Sequence, residues 1–139
     1  MKHVPSHCVI DTTDKVISFK ENNRRINFQN PSSRPYKRVK VDSCAITEGL
    51  RCDNLLVSND ETEEYYVELK GVDVMHAIGQ LERTITTLGT CSANRNAYVI
   101  CTNVAPAITS GIQRKKTLFK QKYNSSLIVH SKTLDVVLR

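Results

Sequence analysis

The chain reads as an α/β protein with a central mixed β-sheet flanked by helices, its elements ordered β-β-β-α-β-α-β-β from residue 41. Three observations predict this. Two apolar runs, Leu55-Leu56-Val57 and Tyr65-Tyr66-Val67, flank the polar, turn-rich segment from Ser58 to Glu64, which is the signature of a β-hairpin. Next, Val74, Ile78, Leu81, Ile85 and Leu88 step by four, three, four and three, a single helical stripe. Beyond it, Asn96 to Val104 is a nearly continuous apolar run of the kind found in strands buried on both faces. A hairpin followed by a helix and a buried strand is an antiparallel core extended through a helical crossover.

The first 40 residues admit two readings. Val16, Ile17 and Phe19 lie on a short helix opened near Thr13, or DKVISFK and RRINF pair as strands across Glu21-Asn22-Asn23. Pro31 to Pro35 is a connector that neither a helix interior nor a central strand accepts. Val39 to Ile46 reads as a strand stopped by Thr47-Glu48-Gly49, and the hairpin follows, broken past Lys70 by Gly71. Asp73 N-caps the first helix and Gly89 closes it at the C′ position. Pro106 ends the apolar run. Thr109 or Ser110 then opens a second helix reaching Tyr123, apolar at Ile112, Leu118 and Phe119. Asn124-Ser125-Ser126 is a turn, and Ser126 to Ser131 and Thr133 to Leu138 are two final strands. The expected layout is one domain over residues 1–139: a basic N-terminal segment at 1–38, a core at 39–104, and a closing helix with strands at 105–139.

Composition narrows the classes. With 40% hydrophobic and 24% charged residues the chain is not disordered throughout. No run of about 18 apolar residues offers a transmembrane helix, and MKHVPSHCVIDTTDK has no apolar core of a secretory signal. The five cysteines are an odd set without C-x-x-C spacing, which argues against zinc and against a disulfide framework. Cys44, Cys52 and Cys101 read as small core residues, and the expected compartment is the reducing cytoplasm. The net charge of +6 is unevenly spread: residues 1–40 carry +6, residues 41–72 carry −6 and residues 73–139 carry +6. Basic flanks around an acidic centre suit a phosphate polymer drawn to a surface that holds metal ions, although ordinary solvated Lys and Arg give the same count.

The acids of the hairpin carry the chemistry. A turn centred between Asp60 and Glu61 sets Asp53 opposite Glu68, with Glu68 and Lys70 on one face and Leu69 on the other. Carboxylates at a cross-strand spacing of about 5 Å repel by roughly 3 kcal/mol at an effective dielectric near 20. A divalent cation relieves that. Asp53, Glu68 and the carbonyl of Leu69 are hard oxygen donors suited to Mg²⁺, and Lys70 beside them can orient a nucleophile and neutralise charge on phosphorus. The alternative is a surface hairpin whose charges form solvated pairs worth under about 1 kcal/mol. Against that, these acids stand on the apolar segments rather than in the turn.

The arrangement D-x14-E-L-K resembles the PD-(D/E)XK nuclease superfamily, which includes restriction endonucleases and Holliday-junction resolvases: Asp53, Glu68 and Lys70 match its acid, acid and lysine. The helix that follows also resembles that family's core order, α-β-β-β-α-β, from about Val39 to Val104. The proline of the motif is missing, since Cys52 precedes Asp53. The resemblance implies a restriction-endonuclease-like core and hydrolysis of phosphodiesters, mostly in DNA. It also implies an endonuclease using Mg²⁺ (Mn²⁺ as a substitute) and a homodimer when two strands are cut. It maps a metal-proximal Gln onto Gln80, with His76 one turn earlier on the same face, and leaves the family's N-terminal Glu as either Glu21 or Glu48. Arg34, Lys37, Arg38 and Lys40 form either a phosphate-contacting arm or a solvated edge, and Arg114, Lys115 and Lys116 offer the same choice on the second helix. The rivals are a catalytically inactive nucleic-acid-binding or regulatory subunit of the same fold, and a charged protein-interaction module.

Overall fold

Alternating apolar residues in the first 40 positions resolve into four strands. The computed structural model describes residues 1–69, 73–90, 93–102 and 109–139, so Lys70, Gly71 and Pro106 lie outside the described residues. The strands are β1 (Val9–Thr12), β2 (Val16–Glu21), β3 (Arg24–Gln29) and β4 (Tyr36–Lys40). Of the two readings of this region the paired strands are realised: Ile17 faces Phe28 and Phe19 faces Ile26. Asn22 makes the turn at φ 54°, which a short polar side chain tolerates.

The remaining elements are β5 (Asn54–Ser58), β6 (Glu63–Leu69), α1 (Val74–Leu88), β7 (Asn94–Cys101), α2 (Ser110–Tyr123), β8 (Ser125–Ser131) and β9 (Thr133–Val137). From Tyr36 onward the order is β-β-β-α-β-α-β-β, as expected, but the first of these strands lies earlier. β4 stops at Lys40, and Val41 to Ile46 form a turn rather than strand: Cys44 N–H and Ile46 N–H both donate to Val41 C=O, at 3.2 and 3.0 Å, and Ser43 sits at φ 60°. The ladder ends there because Val41 N–H and Asp42 N–H converge on one acceptor, Asp53 C=O, at 3.1 and 3.3 Å.

Six strands form one sheet in the order β1-β4-β5-β6-β7-β8, antiparallel from β1 to β6 and parallel from β6 to β8. β2, β3 and β9 form a second sheet. Both helices pack on one face of the large sheet, where Ile78, Leu81, Ile112 and Phe119 meet Leu55, Val57, Tyr66 and Val99. The other face is covered by the small sheet, whose Ile17, Phe19, Ile26 and Phe28 meet Leu56, Val67, Leu69 and Ile100. The expectation of helices flanking the sheet therefore holds on one side only. β2 and β3 alternate apolar with polar residues, so the pair has one face to bury and packs sheet on sheet. β7 is buried from both sides, as its composition requires. The last two strands part company at Lys132 (φ 62°): β8 closes the large sheet and β9 runs parallel to β3. Among the described residues no helix is long and apolar enough to cross a membrane.

Asp73 caps α1 as expected, accepting His76 N–H at 2.9 Å, and Thr109 caps α2, accepting Ile112 N–H at 3.1 Å. Gly89 plays a different part from the one expected. It is the C-cap of α1 with extended backbone (φ −67°, ψ 146°), not a left-handed C′ residue. A Cβ there would stand 2.7 Å from Ile85 O and 2.8 Å from a guanidinium nitrogen of Arg95, so close approach selects the glycine. That guanidinium belongs to a buried cluster. Arg95 Nε donates to Glu64 Oε1 at 2.8 Å, Tyr66 Oη donates to the same oxygen at 3.1 Å, and Thr90 N–H reaches Glu64 Oε2 at 3.3 Å. Arg95 also donates to the carbonyls of Tyr123 and Thr90, tying β6 and β7 to the ends of both helices.

Cys8 and Cys44 are joined by a disulfide, with Cα atoms 5.7 Å apart. This corrects the reading of Cys44 as a small core residue and the argument against disulfide bonding, and it removes the cysteine argument for a reducing compartment. The 36-residue separation carries no local motif from which the pairing could be read. Cys52 and Cys101 are free and buried, as expected.

Two outcomes follow from the fold. Arg95→Met strands the Glu64 carboxylate, which is 0% exposed, without its main cation. A loss of about 3–5 kcal/mol is expected in urea unfolding, partly recovered in the Glu64→Gln/Arg95→Met double variant. In the hairpin loop, bonds from Ser58 Oγ (2.7 Å) and from Thr62 Oγ and N–H (2.8 and 3.1 Å) hold Asp60 down to about 2. Its folded value lies below its unfolded one, so these bonds stabilise the hairpin above the ordinary carboxylate range and are lost as pH falls towards 2. A carboxyl NMR titration of Asp60 should show a midpoint near 2, with the Thr62 amide shifting in step.

Candidate metal centre

β5 and β6 pair with Asn54 opposite Val67, Leu55 opposite Tyr66 and Leu56 opposite Tyr65, so one step outward the register sets Asp53 opposite Glu68. Alternation places Asp53 with Leu55 and Val57, and Glu68 with Tyr66, on the helix-facing side of the sheet. Cross-strand neighbours of this kind have Cβ atoms about 4.5–5.5 Å apart. Leu69 N–H donates to Asp53 Oδ2 at 2.8 Å, which pins the first carboxylate to the end of the second strand. Glu68 is only 3% exposed, while Asp53 is half-buried.

Helix α1 grips the residues leading into β5. Gln80 Nε2 donates to Arg51 C=O at 3.0 Å, and Cys52 N–H donates to Thr84 Oγ1 at 2.8 Å. Gln80 thus lies against the strand that carries Asp53, one turn before Thr84. Its Oε1 is buried and has no hydrogen-bond partner among the described residues. Burial pushes the Cys52 thiol well up, and the nearby Glu68 and Asp53 charges push it further against the lowering effect of Thr84. Burial thus favours the neutral thiol form of Cys52. His76 is exposed on the same helix.

Asp53, Asn54 and Leu69 form one wall of a cavity of about 480 Å³. From the small sheet come Lys20 and Glu21, from β4 Arg38 and Lys40, from the turn after β4 Asp42, and from the N-terminal segment His7 and Cys8. Glu21 is thus the N-terminal acid placed at this cavity, where its Oε2 also meets Arg24 at 3.1 Å. Glu48 is exposed and does not line it. Lys70 lies outside the described residues.

The basic run splits between the two ends of the sheet. Arg38 stacks over the Phe19 ring at 4.6 Å, donates to Ser18 C=O at 2.7 Å and, with Lys40, faces the cavity. Arg34 binds Glu63 at 2.5 Å and Lys37 approaches Glu61 at 4.0 Å. Glu63 begins β6, so Arg34 is six residues, or about 20 Å, from the strand end that carries the site. On α2, Lys115 pairs with Glu82 at 2.6 Å, whereas Arg114 is exposed and Lys116 is half-buried. These three lie over β8 and do not line the cavity.

Comparison with protein-family models, with curated proteins and with solved structures finds no match to this chain. The reading of the site rests on its own geometry.

Asp42 and Lys20 are cavity residues that the sequence reading passed over. Asp42 reads as one acid within a strand until the register of Lys40 with Asn54 brings the turn beside Asp53. A hydrogen bond from Arg51 Nε at 2.8 Å, with Ser43 Oγ adding another, holds its carboxyl below the usual range and keeps it anionic. Lys20 arrives from a different sheet, and no spacing in the chain announces that. Replacing Thr84 by Val leaves the buried Cys52 N–H without its acceptor. The expected cost is about 1–3 kcal/mol in denaturant unfolding, and Ser at this position should restore most of it.

Proposed function

We propose that the chain is a metal-dependent nuclease of restriction-endonuclease-like type that hydrolyses phosphodiester bonds, DNA being the preferred substrate. The observation that carries this reading is the β5–β6 register, which one step outward sets Asp53 opposite the buried Glu68; Asp53, though not Glu68, also lines the cavity that Lys20, Arg38 and Lys40 share. The donor set fits Mg²⁺, with Mn²⁺ as a substitute. Two carboxylates and the Leu69 carbonyl are hard oxygen ligands. Such an ion, when bound, supplies Lewis acidity towards phosphoryl oxygens.

In this proposal Asp53 and Glu68 are the ligands, and Lys70 orients the attacking water and offsets charge in the transition state. Gln80 positions the strand lead-in through Arg51 C=O. Lys20, Arg38 and Lys40 receive the phosphate backbone; Arg34 and Lys37, held by Glu63 and Glu61, have no part in it. Cutting both strands of a duplex calls for two copies of the site, so a homodimer on DNA belongs to the same reading, as does an intracellular place of action.

The test is incubation with supercoiled plasmid, single-stranded DNA and RNA in Mg²⁺, Mn²⁺ or EDTA. Cleavage that needs the metal and falls at least about 100-fold in Asp53→Ala and Lys70→Ala is the expected result. Cleavage unchanged in both variants would sink the assignment. A gel shift that weakens steeply with salt, without cleavage in any metal, would replace the enzyme by a nucleic-acid-binding protein of the same fold.

A further inference from the structure

The Cys8–Cys44 disulfide has an unexpected neighbour. His7 offers a ring nitrogen within 4.8 Å of both sulfurs, and a disulfide needs no imidazole. We propose that His7, Cys8 and Cys44 form a second metal site, which holds Zn²⁺ once the disulfide is reduced. This does not rest on the nuclease reading.

The donor chemistry separates this cluster from the acids nearby. Two sulfurs and an imidazole are soft to borderline ligands that select zinc, not magnesium. In a tetrahedral zinc site, bonds of about 2.3 Å to sulfur and 2.0 Å to nitrogen set neighbouring ligand atoms about 3.5–3.8 Å apart. Three ligand atoms already gathered within 4.8 Å reach that spacing by side-chain rotation. His7 and Cys8 share one short 3-10 turn, Ser6–Cys8, while Cys44 comes from the turn after β4. Burial is graded, with Cys8 buried, Cys44 half-buried and His7 exposed, so the fourth position opens to water.

The chemistry balances. A dithiol reductant gives two electrons and two protons, the Cys8–Cys44 bond breaks to two thiols, and the reductant becomes a disulfide. Zinc then displaces the two thiol protons to solvent, and two thiolates with a neutral imidazole neutralise the ion. The consequence is structural. In either state the segment before β1 stays cross-linked to the Val41–Ile46 turn, whose Val41 and Asp42 amides hold Asp53 C=O. The anchor beside the acidic site thus survives in both oxidising and reducing surroundings.

Cobalt is the probe. The full chain is reduced with a dithiol, freed of it without oxygen, and titrated with Co²⁺. One equivalent should bind with a near-ultraviolet thiolate-to-cobalt band and the visible bands of tetrahedral cobalt, and one equivalent of Zn²⁺ should erase them. The oxidised chain should show none of these bands. His7→Gln, which leaves the disulfide intact, should weaken Co²⁺ binding by the reduced chain at least about tenfold. Asp53→Ala and Cys101→Ser should leave the bands unchanged. A reduced chain without the thiolate band would overturn the proposal. So would bands that persist undiminished in Cys44→Ser, or a reduced chain still unfolded by circular dichroism after one equivalent of zinc.

Discussion

The pairing of β5 with β6 is the constraint on which the site depends. Leu55, Val57 and Tyr66 are buried against the helices, and Leu56, Val67 and Leu69 against the small sheet. A slip of one residue would turn either set onto the wrong layer, and each large apolar side chain so displaced forfeits roughly 1.5–3 kcal/mol of burial. Two acids one step beyond the apolar ladder therefore have no freedom to avoid each other. Asp60 at the turn and the Leu69 amide on Asp53 hold the same register from opposite ends.

Around that pairing three layers converge. Helix α1 follows β6 and comes back over the sheet, so Gln80 and Thr84 reach the backbone of Arg51 and Cys52. The turn after β4 fastens to Asp53 C=O, and the small sheet brings Lys20 and Glu21 to the cavity from the other face. Each anchor is a hydrogen bond to backbone, so the position of Asp53 is set by main chain held from two sides. A charged pair placed at a strand end would otherwise be free to fray.

Away from the cavity the fold is closed by polar cross-links. The Glu64–Arg95 pair joins β6 and β7 to the ends of both helices at the far end of the sheet. The glycine that ends α1 is required by the guanidinium lying over it. Burying that pair carries a desolvation cost that the five hydrogen bonds around it offset, which favours a single arrangement of the crossover helices.

Elements whose cause is local were legible in the chain itself. The hairpin register, the capped stripe of α1, the opening of α2 at Thr109 or Ser110 and the doubly buried β7 each follow from residues close in sequence, through side-chain alternation, helical period and capping bonds. So does the facing of Asp53 and Glu68, because a tight turn transmits register over a few residues. What only the tertiary structure decided are relations between distant segments: the small sheet in place of a second helical layer, the end of β4 at Lys40, the Cys8–Cys44 bond, and the arrival of Lys20, Glu21 and Asp42 at one cavity. Burial and pairing across tens of residues set these, and no period or spacing in a single chain records which surface another segment will cover.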